Sequence, residues 1–381
     1  MKYRVSVVLV FLLMSGQIFA QEEILTIPRR GYFATGFSFQ MWKREGAYLS
    51  LNQMAFPVTL LLPVGNRFYL TISHTPGVSW RFEEQNIYGL SDTWIQGTGV
   101  FLGKKLMINL GIGLPTGKTR LDSTQFELTK QLSKNFYRFR LPQYGQGMGV
   151  KGGMAVAFPV KEGIVVGLGG QYIYRTAYHP VKYEYGRDLG LDAEPWDKEY
   201  RSGDEVSGHL GVDFQIGENM KVMLDGMYTY YWRDLLEGTE IYGSGDKLSL
   251  NLGFFYRFNE KYLWSHFVYR HRGKNELLQG LSFREEEENS NGYQLEMDVV
   301  LKILEYQSGE VFLLGDGRLY GKNEKGTGDG MVFGGGLGLN FKISEGSVLE
   351  IQFKYILGSR RLIEKRREEG LETFAGLKFV I

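Results

Sequence analysis

Residues 248–258 read Leu-Ser-Leu-Asn-Leu-Gly-Phe-Phe-Tyr-Arg-Phe. Leu248, Leu250, Leu252, Phe254, Tyr256 and Phe258 share one parity, while Ser249, Asn251, Gly253 and Arg257 lie on the other. A period of two collects the first set on one face of a strand, whereas a helix would spread them around its axis. The same alternation recurs in 206–216, 222–232, 293–303, 347–357 and 371–381. Together the six apolar faces carry no Asp, Glu, Lys or Arg, although the chain is 23% charged and chance would place roughly eight there. The opposite faces hold Asp213, Lys221, Asp225, Arg257, Glu296, Asp298, Lys302, Glu350, Lys354 and Lys378 among others. A lysine or arginine facing lipid costs about 2–4 kcal/mol near the bilayer midplane, and one facing a wet lumen costs little. A soluble sandwich also alternates. These runs, however, match the 9–11 residues or so that cross a bilayer and exceed the usual strand of about five or six.

The N-terminus agrees with that reading. Lys2 and Arg4 precede an apolar run from Val5 to Met14, and Ala20 offers a cleavage position. This is the layout of a secretory signal, too short to span a membrane as a helix. The expected organisation is therefore a signal peptide over 1–20 and one barrel domain over 21–381, exported to a bacterial outer membrane. With no cysteine, disulfides and an N-terminal lipid anchor are excluded. A net charge of +1 argues against nucleic acid or another polyanion as partner. The 51 Gly, 25 Phe and 24 Tyr suit tight turns, small lumen residues and aromatic girdles.

Short turn signals such as Gly65-Asn66, Gly103-Lys104, Lys161-Glu162-Gly163 and Gly217-Glu218-Asn219 alternate with long polar connections at about 83–91, 117–146, 177–204, 233–246, 273–290, 322–329 and 359–370. Short periplasmic turns and long external loops are the asymmetry of outer-membrane barrels. Counting between them predicts an all-β, antiparallel up-and-down transmembrane barrel of about 16 strands. Pro57, Pro63 and Pro76 interrupt the second and third strands, which means bulges, sheet edges or a non-spanning segment that lowers the count to 14.

Residues 89–122, GLSDTWIQGTGVFLGKKLMINLGIGLPTGKTRLD, resemble a stretch of outer-membrane proteins of the phenol-degradation meta-pathway family, grouped with FadL-like channels for hydrophobic compounds. The likeness lies in the GLSD strand opening, the short hairpin turn and the Gly-rich strand ending in GLPTG. It implies passive uptake of small organic, often aromatic, solutes. The final strand, Leu371 to Ile381, resembles the signal read by the barrel-assembly machinery, which implies that machinery as a partner.

On the lumen parity stand Lys151, Gln171, Arg175, His209, Asp213, Lys221, Asp225, Arg257, Glu296, Asp298, Lys302, Asp316, Arg318, Lys342, Glu350, Lys354 and Lys378. Two arrangements fit them: a water-filled pore of mixed charge, or a salt-bridged interior in a closed structural or adhesin-like barrel whose loops bind outside. The 117–146 connection carries Phe136, Tyr137, Arg138, Phe139 and Arg140. This alternation suits a constriction that stacks aromatic solutes and meets anions, unless 135–141 merely extends a strand. Of two charge runs, Glu285 to Glu288 offers a divalent-ion site. Arg360, Arg361, Lys365, Arg366 and Arg367 offer contacts to lipopolysaccharide phosphates. A solvated loop is the preferred reading of both, and no metal or other cofactor is expected. Five histidines without a His-x-Ser or a metal-ligand spacing give no enzyme signature.

Overall fold

The computed structural model describes residues 30–45, 50–81, 85–180, 198–280, 282–286, 292–322, 328–361 and 365–381. The expected signal segment 1–20 and its cleavage after Ala20 lie outside these residues, as do Glu287 and Glu288 of the acidic run.

Sixteen antiparallel strands follow one another around a closed barrel. They are β1 (Tyr32–Arg44), β2 (Ser50–Ala55 and Val58–Val64), β3 (Phe68–His74 and Pro76–Trp80), β4 (Asn86–Leu90 and Thr93–Phe101), β5 (Leu106–Leu114), β6 (Gly149–Lys161), β7 (Ile164–Arg175) and β8 (Glu205–Ile216). Then come β9 (Met220–Tyr231), β10 (Lys247–Phe258), β11 (Lys261–Arg272), β12 (Gln294–Tyr306), β13 (Gly309–Tyr320), β14 (Gly330–Ser344), β15 (Ser347–Arg361) and β16 (Lys365–Val380). Closure is made by β1 against β16, in register from Tyr32 opposite Val380 to Arg44 opposite Glu368. Every strand of the barrel thus has two neighbours, and its wall leaves no free edge to recruit another chain.

The prolines do not remove strands. β1 pairs with both halves of β2, from Lys43 opposite Ser50 to Tyr32 opposite Leu61, and the break at Phe56-Pro57 sits between them. β3 is broken once, at Thr75, before Pro76. Both are local irregularities where a missing N–H is tolerated, so the count is sixteen rather than 14. The short turns carry the backbone they need: Gly163 and Gly217 sit at φ 76° and 63°, and Asn259 at 58°.

The connections 233–246 and 273–290 are less loop-like than their composition suggests. Tyr200–Arg201, Arg233–Leu236, Thr239–Gly243, Glu276–Gln279 and Ser282–Glu285 form a second, five-stranded sheet beyond the barrel rim. The 359–370 connection is also mostly strand, since β15 and β16 pair up to Arg361 opposite Lys365.

Register carries the parity of residues 248–258 around the whole wall. Leu250 and Leu252 point outward at 46% and 40% exposure, as do Leu210, Leu337 and Phe353. Such a belt requires lipid around it. A closed hydrogen-bond ring resists detergent, so the purified protein should migrate differently on SDS gels before and after boiling. Identical migration would be incompatible with this closure.

Candidate functional site: the lumen and its inserted loop

Between β5 and β6 the chain turns into the barrel instead of leaving it. Asp92, at the break in β4, fastens both feet of this insertion: Oδ1 accepts from Gly117 N at 2.9 Å and Oδ2 from Gln146 N at 2.7 Å. A Cβ on Gly117 would stand 2.4 Å from the Tyr144 carbonyl oxygen and 2.7 Å from Asp92 Oδ1, so only glycine fits that foot. Ser91 and Thr116 add hydrogen bonds around it. The GLSD and GLPTG residues therefore serve as the hinge of the insertion, a role beyond plain turn chemistry.

Inside, Asp122 begins helix α1 (Ser123–Leu132) with a reciprocal capping box to Gln125. The Asp-x-x-Gln signature stands in the sequence ahead of Phe126 and Leu128, and it is the signal that distinguishes a helix from an irregular loop here. Past α1, residues 135–141 cross the lumen and bind its wall. Gln40 donates from Nε2 to the Arg138 carbonyl (3.0 Å) and accepts the Arg140 N–H (2.7 Å); Gln53 does the same for both groups of Leu141 (2.8 Å each). Gln40 and Gln53 face each other across β1 and β2, so the two amides act as a short surrogate strand for the loop. Trp42 Nε1 donates to the Tyr137 carbonyl at 3.1 Å, and Arg318 donates to the Phe136 carbonyl at 2.8 Å.

The two loop arginines meet acids gathered from three strands on one side of the barrel, β12, β13 and β16. Arg138 lies 3.0 Å from Asp316, 3.3 Å from Asp298 and 3.9 Å from Glu296. Arg140 lies 3.9 Å from Glu372 and 4.4 Å from the Phe374 ring. Burial disfavours the Arg138 charge, but the carboxylates of Asp298, Glu296 and Asp316 outweigh it and raise its pKa. At Arg140 burial outweighs Glu372 and Glu350, and the pKa falls.

The aromatic residues do not form an open stacking surface. Phe136, Tyr137 and Phe139 are 5%, 9% and 5% exposed and pack with Trp42, Val332 and Ile356. The expectation of rings presented to solutes is thus corrected: apolar rings beside an apolar wall patch lose less by burying themselves than by facing water. Gly358 on β15 is their socket, since a Cβ there would meet the Phe136 ring at 2.8 Å. Arg138 is 36% exposed but Asp316 and Glu296 are only 2% exposed, so the desolvation of these acids offsets much of what the ion pairs gain. Burial of the rings, at about 1.5–3 kcal/mol per side chain, stabilises the seated loop more. The rings hold the loop against the wall, and the arginines select its register.

The remaining lumen-parity residues sort by whether they serve the loop. On the loop side, Arg318 pairs with Asp316 (2.8 Å) and Lys354 with Glu372 (3.3 Å), while Glu350 accepts from Gln352. Lys302 pairs with Glu305 and Glu310, and Lys378 lies over the Tyr32 ring near the short-turn end, where Lys342 also stands. Among the described residues, no hydrogen bond or ion pair of 135–141 reaches β5 to β11. That arc carries Gln171, His209 in contact with Ser207 Oγ (3.0 Å), the Asp213–Lys221 pair (3.1 Å), Asp225, and Lys151 over Trp94 at 4.7 Å. Arg175 joins Gln146 to Glu205, and Arg257 sits 6.0 Å from the Phe255 ring.

The sequence pattern does not reveal an inward aromatic belt that the barrel contains. Register turns Phe255, Tyr262, Trp264 and Phe312 to the inside, with ring centroids 5.6 Å apart for Phe255–Tyr262 and 6.0 Å for Tyr262–Phe312. In β11 these rings alternate with aromatic outward residues such as Phe267 and Tyr269, so parity alone could not sort the two faces. One residue of the basic run near 360 takes a place in the lumen. Arg360 turns inward, pairing with Glu368 at 3.2 Å and stacking on Phe136 and Tyr137, so it is not presented to lipopolysaccharide.

No family model and no curated protein matches the chain by sequence. Among solved structures it is similar to an outer-membrane channel from Pseudomonas putida F1, at 9% identity and TM-score 0.39 over 93% of this chain and 97% of that one. It is also similar to the CymD monoaromatic hydrocarbon channel (11%, TM-score 0.42, over 93% and 89%) and to Pseudomonas putida OprB (8%, TM-score 0.47, over 92% and 94%). Likenesses this distant carry no functional argument, and the sixteen-stranded closure stands on the register of the strands themselves.

Proposed function

We propose that this chain is an outer-membrane channel for passive uptake of small solutes, hydrophobic and aromatic compounds in particular. The observation that carries the reading is the one-sided seating of the loop: residues 135–141 bind to β1, β2, β12, β13, β15 and β16 and leave the inner face of β5 to β11 clear of their hydrogen bonds and ion pairs. A polar arc opposite a seated loop is the arrangement of a constricted pore. At sixteen strands a barrel is wide enough to keep water beside such a loop. The belt of Phe255, Tyr262, Trp264 and Phe312 supports the solute class, because inward rings give an apolar solute a weak binding step along a wet path. The resemblance of residues 89–122 to meta-pathway channels points the same way. Insertion through the barrel-assembly machinery by the C-terminal strand, and lipopolysaccharide as the outer-leaflet neighbour, belong to the same proposal.

Planar-bilayer recording tests it. The purified protein should insert and conduct, and liposomes containing it should take up phenol-sized solutes faster than empty ones. A barrel that inserts, shifts on gels and passes neither ions nor solutes would instead be the closed, adhesin-like alternative.

A further inference from the structure

The loop does more than narrow the lumen; it consumes acid. Glu296, Asp298, Asp316 and Glu372 all face Arg138 or Arg140. On the opposite arc the balance is reversed. Lys247 on β10 and Arg272 on β11 are direct cross-strand partners, both on the inner parity. Like charges placed directly opposite repel one another, and a sheet normally avoids the arrangement or inserts a carboxylate. Among the described residues, the carboxylates that act on Lys247 are already held. Glu205 is held by Arg175, and Glu296 by Arg270 as well as Arg138. Among the described residues neither Lys247 nor Arg272 forms an ion pair. The Arg272 guanidinium donates from Nη2 to Ser244 Oγ at 3.0 Å, its Nε is buried without a partner, and it lies 5.9 Å from the Tyr231 ring. Thr229, the other cross-strand neighbour of Lys247, adds a hydroxyl.

We infer that Lys247 and Arg272, beside Tyr231, form a site on the inner wall for small organic anions, carboxylates above all, and make the channel prefer anions. The inference rests on the channel reading above. A carboxylate placed between the ammonium and the guanidinium would supply the missing counter-charge in charge-assisted hydrogen bonds, and Tyr231 gives its organic part an apolar neighbour. Formal composition conceals this preference, because acids that balance these cations in a residue count, such as Glu296 on the neighbouring β12, are engaged with the loop and with Arg270. The site lies at the loop-side end of β10 and β11, so an entering anion meets it early.

The test is reversal potential in a KCl gradient across a planar bilayer, with sodium benzoate as the organic probe. Wild-type protein should pass chloride more readily than potassium, and benzoate should reduce the chloride current. The Lys247→Gln, Arg272→Gln double variant, checked for the same gel shift, should lose the preference several-fold and lose the benzoate effect while still conducting. Lys247→Glu, which would pair with Arg272, should also lose both and should unfold at a higher temperature. A conducting wild type without anion preference, or a preference unchanged in the double variant, overturns this inference and leaves the channel standing. A wild type that does not conduct overturns the channel reading and this inference with it.

Discussion

Replacing residues 123–141 with a short Gly/Ser linker, leaving Asp92 and both feet in place, is expected to raise single-channel conductance several-fold and shift ion preference toward cations. Two effects act together. The change removes α1 and the crossing segment from the lumen, and it deletes Arg138 and Arg140, which opens Asp298, Asp316, Glu296 and Glu372 to water with two fewer cations to offset them. Charge rings of one sign govern selectivity in such pores, so the sign of the shift follows from which partners are lost. Arg138→Gln with Arg140→Gln should reproduce the cation shift with a smaller rise in conductance, because Phe136, Tyr137 and Phe139 still hold the segment to the wall. Single-channel current and reversal potential measure both. Unchanged values in both variants would mean that the loop does not stand in the conducting path. The appearance of current only in the linker variant would identify the native loop as a plug.

The second large effect concerns facing. Leu250→Lys and Leu252→Lys should each impair insertion and lower the yield of heat-modifiable protein, since each puts an ammonium on the lipid side at a cost of about 2–4 kcal/mol near mid-depth. Asn251→Lys, on the residue between them, should assemble at close to the wild-type level because its side chain enters the lumen. Three adjacent positions of β10 thus test the facing, and equal damage at all three would mean that the alternation is a soluble-core pattern. Folding yield of the three variants in the same detergent and lipid mixture decides between these.

The hinge and the seat of the loop explain what is legible in the sequence and what is not. GLSD and GLPTG stand out, but their glycines read equally well as turn chemistry. Asp92 acquires its role only when Gly117 and Gln146, 25 and 54 residues away, arrive on either side of it. Gln40, Gln53 and Trp42 give no signal at all, since a polar or aromatic residue on the lumen parity is unremarkable until a backbone comes to meet it. The aromatic and arginine alternation of 136–140 does mark the segment that enters the lumen. Its pattern assigns the rings to the solute, whereas burial assigns them to the wall.

Sequence by itself determined an all-β barrel wall of about sixteen strands, with 14 left open by the prolines, and the side of its cleanest strands that meets lipid, though not that of β11. These follow from a period of two, from turn residues and from the cost of charge in hydrocarbon, all of which act over a few neighbouring residues. Only the tertiary structure decided which charges are partnered, because the partners are remote. Arg138 and Asp316 are 178 residues apart, and Arg360 and Tyr137 are 223. No local pattern encodes such a meeting. Once the loop seats against β1, β2 and β12 to β16, the near-neutral composition resolves into a neutralised side and a cationic side, and it is that separation that gives the lumen its proposed chemistry.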